Sequence, residues 1–283
     1  MTDVNLLKNP ITSRQNQAVK RICALSEKKA RRAEGLFRFD GIKLLCEAAQ
    51  KGIDIEYAVL GENIDKKNLQ KVEELVKSGL LDERRVICVS EAVFSKMSEE
   101  SSPEGVITVA KFIKAKHKDV TDVNEYFIKP EKRILIVESL RDPGNMGTVI
   151  RSSFALGIDR LIISDDCADL YNSKTVRAAM GALFSLEIDV VLKDDLPAFI
   201  TRLRALGREI FATALRKDAK TIGEIEMKAG DAFVIGNEGH GLSDKVIDAS
   251  SATAIIPMTE GSESLNAAAA AAICIWETVR NKG

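Results

Sequence analysis

From residue 133 onward, short apolar runs alternate with segments of helical spacing, and no other feature narrows the possible folds so far. RILIVES (133–139), RLIIS (160–164), IDVVL (188–192), EIFATAL (209–215), AFVIG (232–236) and TAIIPM (253–258) read as strands. Helices are expected over Met146–Leu156, closed by Gly157, over Lys174–Phe184, capped by Asn172 or Ser173, and over Pro197–Leu206, closed by Gly207. A short helix from Ser243 and a long C-terminal helix complete the series. Nearly continuous apolar strands that alternate with helices imply a parallel, doubly wound sheet covered on both faces. Ligands of such sheets sit outside the carboxyl ends of the strands.

The first third reads as a smaller mixed α/β domain. A polar, basic helix is expected over Arg14–Ala33 and another over 41–50, followed by a strand at 55–60 and a helix over Lys67–Lys77. A strand at 85–90, a short helix over Glu91–Met97 and a strand at 104–111 close the region. The stretch from Lys114 to Lys132 is polar and without period, so a linker is placed there. The expected division is residues 1–113, a linker over 114–131, and a second domain over 132–283.

Charge is unevenly spread. The 283 residues carry 41 Lys+Arg and 42 Asp+Glu, a net charge of -1 that argues against binding nucleic acid through the whole surface. Residues 1–38 nevertheless hold nine bases against three acids, a local balance of +6 that leaves -7 for the remainder. Either a solvated helix face or a phosphate-contacting patch around Lys28, Lys29, Arg31 and Arg32 accounts for this. Aromatic residues make up 5%, too few for the stacking platforms of single-strand binders. No run approaches 18 apolar residues, so no membrane span is expected, and the first twenty residues lack the apolar centre of a signal peptide. The five cysteines (23, 46, 88, 167 and 274) are scattered, as reduced cytoplasmic thiols are. With only His117 and His240, a histidine-rich metal site is excluded.

Three segments at strand ends break the regular pattern. In ESLRDPGNMGTVIRSS (138–153), Asp142-Pro143-Gly144 is a turn signal, Asn145 is a candidate helix N-cap, and Gly147 lies one turn from Arg151 on the same face. Arg151 is either a surface arginine or a cation aimed at an anion near the helix start. GNEGHGLSD (236–244) places three glycines in six residues behind an apolar strand, where backbone can approach a ligand closely, and holds Glu238 on the same loop. It is neither a dinucleotide fingerprint nor a P-loop. His240 there reads as an exposed loop residue before a base. The third segment, IIPMTEGSESLNAAAAAAICIW (255–276), runs from a strand through Pro257 into a helix that opens with six alanines, slim enough to lie close to another backbone.

Taken in order, N-x-G-x-x-x-R (Asn145, Gly147, Arg151), G-N-E-G-x-G-L (236–242) and I-P-M with S-L-N (256–258, 264–266) resemble the three signature motifs of the SpoU-type RNA 2′-O-ribose methyltransferases of the SPOUT class. The resemblance covers residues from about 132 to 283. FRFDGIKLLCEA (37–48) and SPEGVITVAK (102–111) resemble the family's ribosomal-protein-like substrate-binding domain more loosely. One departure is that many relatives carry Val-Ser after S-L-N, where this chain has Ala267 and Ala268.

The resemblance implies an α/β catalytic domain with a trefoil knot, S-adenosylmethionine as methyl donor, no metal, and a ribose 2′-hydroxyl as acceptor. It implies Arg151, Asn145, Glu238 and Asn266 as the catalytic set, with Asn145 and Glu238 orienting Arg151 and the ribose. An arginine is a poor free base, which favours an electrostatic and positional role for Arg151 and leaves open whether it also accepts the proton. Thr213, Gly236, Ile256, Met258 and Leu265 are the implied cofactor contacts. Ribosomal RNA is the expected substrate and a homodimer the expected assembly, in the cytoplasm, with neither DNA nor membrane as partner. A transfer-RNA methyltransferase, an antibiotic-resistance methyltransferase, and an RNA-binding ribosome-assembly factor without activity are the competing readings. A dinucleotide oxidoreductase is disfavoured by the missing glycine fingerprint.

Overall fold

The basic segment expected as one helix is two. In the computed structural model, which describes residues 6–114, 116–123, 127, 129, 131–259 and 264–280, α1 spans Gln17–Ala24 and α2 spans Lys28–Glu34. Asn16 caps α1 by accepting from the Ala18 amide, and Gly35 ends α2 at φ +65°, a conformation glycine adopts without steric cost. The break is held by Arg31, 3% exposed, whose guanidinium donates to the carbonyls of Leu25 (2.9 Å) and Ser26 (2.6 Å). These carbonyls follow the end of α1, where backbone acceptors lack helical partners. Arg31 therefore serves the fold and leaves the expected phosphate patch. Arg38 leaves the free cations of this segment as well, being 4% exposed and 2.6 Å from Glu99. Lys28, Lys29 and Arg32 remain exposed.

The chain divides into two compact units, Met1–Ile113 with Tyr171–Phe184, and Lys114–Leu170 with Ser185–Gly283. In the first, β1 (Leu36–Asp40), β2 (Ile55–Gly61), β3 (Val86–Val89) and β4 (Val106–Lys111) form a sheet in the order β1-β4-β2-β3. β4 is antiparallel to both neighbours, and β2 and β3 are parallel. The helices α3 (Ile42–Gln50), α4 (Lys66–Lys77) and α5 (Glu91–Met97) accompany it. Val19, Ile22, Val93, Phe94 and Met97 pack on Val59, Ile107 and Val109 to make its core. Strand β1 was absent from the sequence reading. The helix expected over Lys174–Phe184 is α7 (Ser173–Ala179) followed by a 3-10 turn, with Asn172 accepting from the Lys174 amide as its cap. It belongs to this unit because Tyr171 stacks on Phe112 (4.1 Å between centroids) and its hydroxyl accepts from the Ile113 amide at 2.8 Å.

The second unit is an eight-stranded, wholly parallel sheet. Its strands are β5 (His117–Asp119), β6 (Ile134–Val137), β7 (Arg160–Ser164), β8 (Glu187–Val191), β9 (Ile210–Thr213), β10 (Lys220–Thr221), β11 (Ala232–Ile235) and β12 (Ala252–Ile255), in the order β10-β12-β9-β11-β6-β7-β8-β5. The stretch read as a structureless linker thus contributes an edge strand, β5, paired with β8. The two short edge strands, β5 and β10, carry polar sequence, which is why an apolar-run criterion passes over them. The helices α8 (Leu196–Ala205) and α9 (Asp244–Ala249) cover one face, burying Phe199, Ile200, Leu203 and Val246 against Ile134, Ile162, Ile210 and Val234. The helices α6 (Pro143–Leu156) and α10 (Ala267–Arg280) pack on each other, and α10 packs on β11. Ala267, Ala268 and Ala271 of the alanine run are buried. Burying a large side chain such as Phe199 completely stabilises by about 1.5–3 kcal/mol.

Candidate active site

The loop from β6 into α6 starts with Glu138, 2% exposed, whose carboxylate accepts from the Ser243 amide (2.8 Å) and hydroxyl (2.6 Å) and so ties this loop to the start of α9. Ser139 follows at φ +55°, a costly conformation for serine. Three bonds hold it. Its amide donates to Ser164 Oγ (2.8 Å), its hydroxyl to Asp166 (2.7 Å), and its carbonyl accepts from Asn237 Nδ2 (2.7 Å). Burial by itself would raise the Asp166 pKa. Hydrogen bonds from Ser164 and Ser139, with the Lys193 and Arg141 cations, outweigh burial and hold this carboxyl at about 2.

Asp142, not Asn145, caps α6: its carboxylate accepts from the Asn145 amide at 2.7 Å, and Pro143 takes the first helical position. This corrects the expected cap and frees the Asn145 side chain. Asn145 Nδ2 donates to Glu238 Oε1 at 3.1 Å, and its Oδ1 accepts from Asn266 Nδ2 at 3.0 Å. Glu238 also accepts from the Asp142 amide at 3.3 Å. Asn266 caps α10 with its remaining oxygen, accepting from the amides of Ala268 (2.9 Å) and Ala269 (3.2 Å). The chain Asn266–Asn145–Glu238 therefore joins all three unusual segments.

The glycine loop is shaped by Asn237, whose Oδ1 accepts from the amides of Gly239 and His240. Gly236 must be glycine, because a Cβ there would lie 2.4 Å from the Gly241 carbonyl carbon and 2.5 Å from the Leu242 nitrogen. Gly241 turns at φ +66°. His240 is exposed, as expected.

Beside Glu238 opens a cavity of about 750 Å³ at the carboxyl ends of β9, β11 and β12. Thr213, Gly236, Ile256, Met258 and Leu265 all line it. The Thr213 hydroxyl donates to the Val234 carbonyl, so towards a ligand it can act as an acceptor and not as a donor. Of the four side chains expected to act together, three are joined. Arg151 is not: it is exposed on α6 and, among the described residues, has no hydrogen bond or ion pair. Asn145 and Glu238 orient one another and not Arg151. Sequence reasoning passed over Glu138, Ser139, Asn237 and Asp166. Glu138 had a visible signal, a carboxylate closing an apolar strand; the others act through bonds between distant segments.

A cavity walled by backbone and apolar side chains at the ends of parallel strands is where α/β proteins of the cofactor-binding class hold a nucleoside-type ligand. The comparisons narrow that class. Residues 132–276 match the SpoU rRNA Methylase family, and residues 16–108 match the MRM3-like substrate binding domain. The chain belongs to the SpoU rRNA methylase family. It is 30% identical over 266 residues to the 23S rRNA (guanosine(2553)-2′-O)-methyltransferase RlmP of Bacillus subtilis (strain 168), covering 94% of this chain and 97% of that protein. It is 32% identical over 185 residues to the 23S rRNA (uridine(2479)-2′-O)-methyltransferase of Streptomyces viridochromogenes, covering 65% of this chain and 62% of that one. The crystal structure of an AdoMet-bound rRNA methyltransferase from Sinorhizobium meliloti superimposes with a TM-score of 0.81 at 28% identity, over 99% of this chain and 100% of that chain. The resemblance read from the three motifs is borne out.

Proposed function

We propose that this protein transfers the methyl group of S-adenosylmethionine to the 2′-hydroxyl of a ribose in ribosomal RNA. The observation that carries the proposal is the bonded chain Asn266–Asn145–Glu238, whose Glu238 lines a cofactor-sized cavity. The wall fits the cofactor: backbone at Gly236 and Ile256 and the half-buried Met258 suit an adenosine, and about 750 Å³ is within the roughly 300–1,000 Å³ of ligand sites. Thr213, Gly236, Ile256, Met258 and Leu265 would hold the cofactor, whose sulfonium supplies an activated methyl group.

The protein's own part is positional and electrostatic. Asn145 and Glu238 present a fixed polar frame at the start of α6. Arg151, without a partner among the described residues, holds the phosphate next to the target ribose and lowers the cost of charge on the hydroxyl oxygen as its proton leaves. Asn266 keeps Asn145 in register with α10.

Residues 1–113, together with Tyr171–Phe184, act as the RNA-binding unit, Lys114–Leu170 with Ser185–Gly283 form the catalytic unit, and the catalytic unit carries the trefoil knot of its family. Phe154 (46% exposed) on α6 and Ile273 and Trp276 (36% and 55%) on the adjoining α10 support a homodimer through these helices. The described thiols are free, which suits the reducing cytoplasm. No helix among the described residues is long and apolar enough to cross a membrane.

The test is transfer of tritium from labelled S-adenosylmethionine to ribosomal RNA, with the product mapped as a 2′-O-methyl nucleotide. Transfer by the wild-type chain is expected. RNA binding with no transfer to any RNA would overturn the proposal in favour of an assembly factor.

A further inference from the structure

Among the described residues, four ionisable side chains line the cavity: Arg216, Glu238, His240 and Asp244. Glu238 is engaged with Asn145 and the Asp142 amide, and His240 stands on the glycine loop, its amide bonded to Asn237. Arg216 and Asp244 remain, and they face each other. Arg216 Nη2 donates to Asp244 Oδ1 at 2.6 Å, with 46% and 85% of the two side chains exposed. Arg216 lies three residues past the end of β9, and Asp244 is the first residue of α9. An ion pair this exposed adds little to stability and exchanges partners readily. Most of the remaining wall, including Leu215, Ile235, Ile255 and Ile256, is apolar side chain and backbone.

S-adenosylmethionine has a neutral adenosine, a sulfonium, and an amino-acid end that carries one α-carboxylate and one α-ammonium. Among the described residues, the ion pair on the cavity wall is that of Arg216 with Asp244. We infer that Arg216 and Asp244 together receive the amino-acid end of the cofactor, Arg216 taking the α-carboxylate and Asp244 the α-ammonium. Without ligand the two charges satisfy each other. With ligand each exchanges a protein partner for a ligand partner of the same sign, so no charge is stranded at either stage. The apolar wall thus fixes the adenosine, and this pair separates a complete cofactor from a nucleoside that lacks the amino acid.

The inference rests on the S-adenosylmethionine reading, and the experiment separates the two. Calorimetry on the full chain compares S-adenosylhomocysteine, 5′-methylthioadenosine, which lacks the amino-acid end, and decarboxylated S-adenosylmethionine, which lacks only the carboxylate. Arg216→Gln and Asp244→Asn are each expected to weaken S-adenosylhomocysteine about tenfold while leaving 5′-methylthioadenosine within about twofold. Decarboxylated S-adenosylmethionine should lose affinity on Asp244→Asn and not on Arg216→Gln. Equal weakening of S-adenosylhomocysteine and 5′-methylthioadenosine, or no weakening of either, overturns the inference while leaving the cofactor reading intact. A wild-type chain that binds none of the three overturns both.

Discussion

Arg31 and Arg151 are both helix arginines that the sequence offers as contacts to an anion, Arg31 in the polar α2 and Arg151 in the more apolar α6, and the two units use them in opposite ways. Arg31 is 3% exposed and spends its guanidinium on the carbonyls at the end of α1. Arg151 is exposed and, among the described residues, bonded to nothing in its own chain. Spacing does not separate them. What does is the demand of nearby backbone: α1 ends with open acceptors that a cation can close, whereas α6 has Asp142 at its start and Gly157 at its end and asks nothing of Arg151. A cation that the fold does not require is available to substrate.

Substituting each arginine breaks the comparison if it is wrong. Arg151→Ala should reduce methyl transfer by about 10²–10³-fold or more, with S-adenosylhomocysteine affinity and melting temperature unchanged. Near-wild-type transfer would remove Arg151 from the catalytic set. Arg31→Ala should do the reverse. It leaves the buried Leu25 carbonyl and the part-buried Ser26 carbonyl short of a charged donor, so denaturant unfolding should show a loss of about 1–3 kcal/mol, while transfer by the protein that remains folded persists. A loss confined to RNA affinity would return Arg31 to the phosphate patch. The neighbours sharpen the contrast. Replacing the exposed Lys28, Lys29 and Arg32 by glutamine should leave melting unchanged and lower the salt slope of RNA binding by about 0.7–0.9 for each phosphate contact removed. An unchanged slope makes the +6 segment a solvated helix face.

The same distinction explains what could be read from the sequence. The parallel α/β unit was legible because its inner strands are apolar on both faces: Ile134–Val137 is wholly buried, and the run RILIVES showed it. The three motif segments were legible because glycines, a turn proline and a short polar run interrupt that regularity. The cavity residues Gly236, Ile256 and Leu265 come together as their positions at strand ends suggest. What was hidden depends on pairs. Asn145 was read as a cap because asparagine is a good one, and only the presence of Asp142 three residues earlier releases it. Strand β5 is polar and has no signature apart from its partner β8. The placement of Tyr171–Phe184 in the first unit rests on ring contacts with residues some 60 to 130 positions away, which no local window contains.

The smallest effect concerns Asp166, which belongs to neither arginine class: it is an anion that the site's geometry requires although it touches none of the proposed catalytic side chains. It holds Ser139 in its left-handed turn, and that turn sets where Asp142 and Asn145 begin α6. Its carboxyl is held at about 2, below its ordinary 3.8, so the ionised form is the one the fold prefers. For a depressed acid the stabilisation is complete above the unfolded value and disappears as pH falls through the folded one. Asp166→Asn should therefore lower the urea midpoint at pH 7, by an amount that stays constant down to about pH 5 and shrinks as pH falls from 4 towards 2. A difference that widens on acidification would mean that the protonated carboxyl is the preferred partner of Ser139 and Ser164. In that case Asp166 would act as a donor in the turn, and Lys193 and Arg141 would be neighbours without a stabilising part in it.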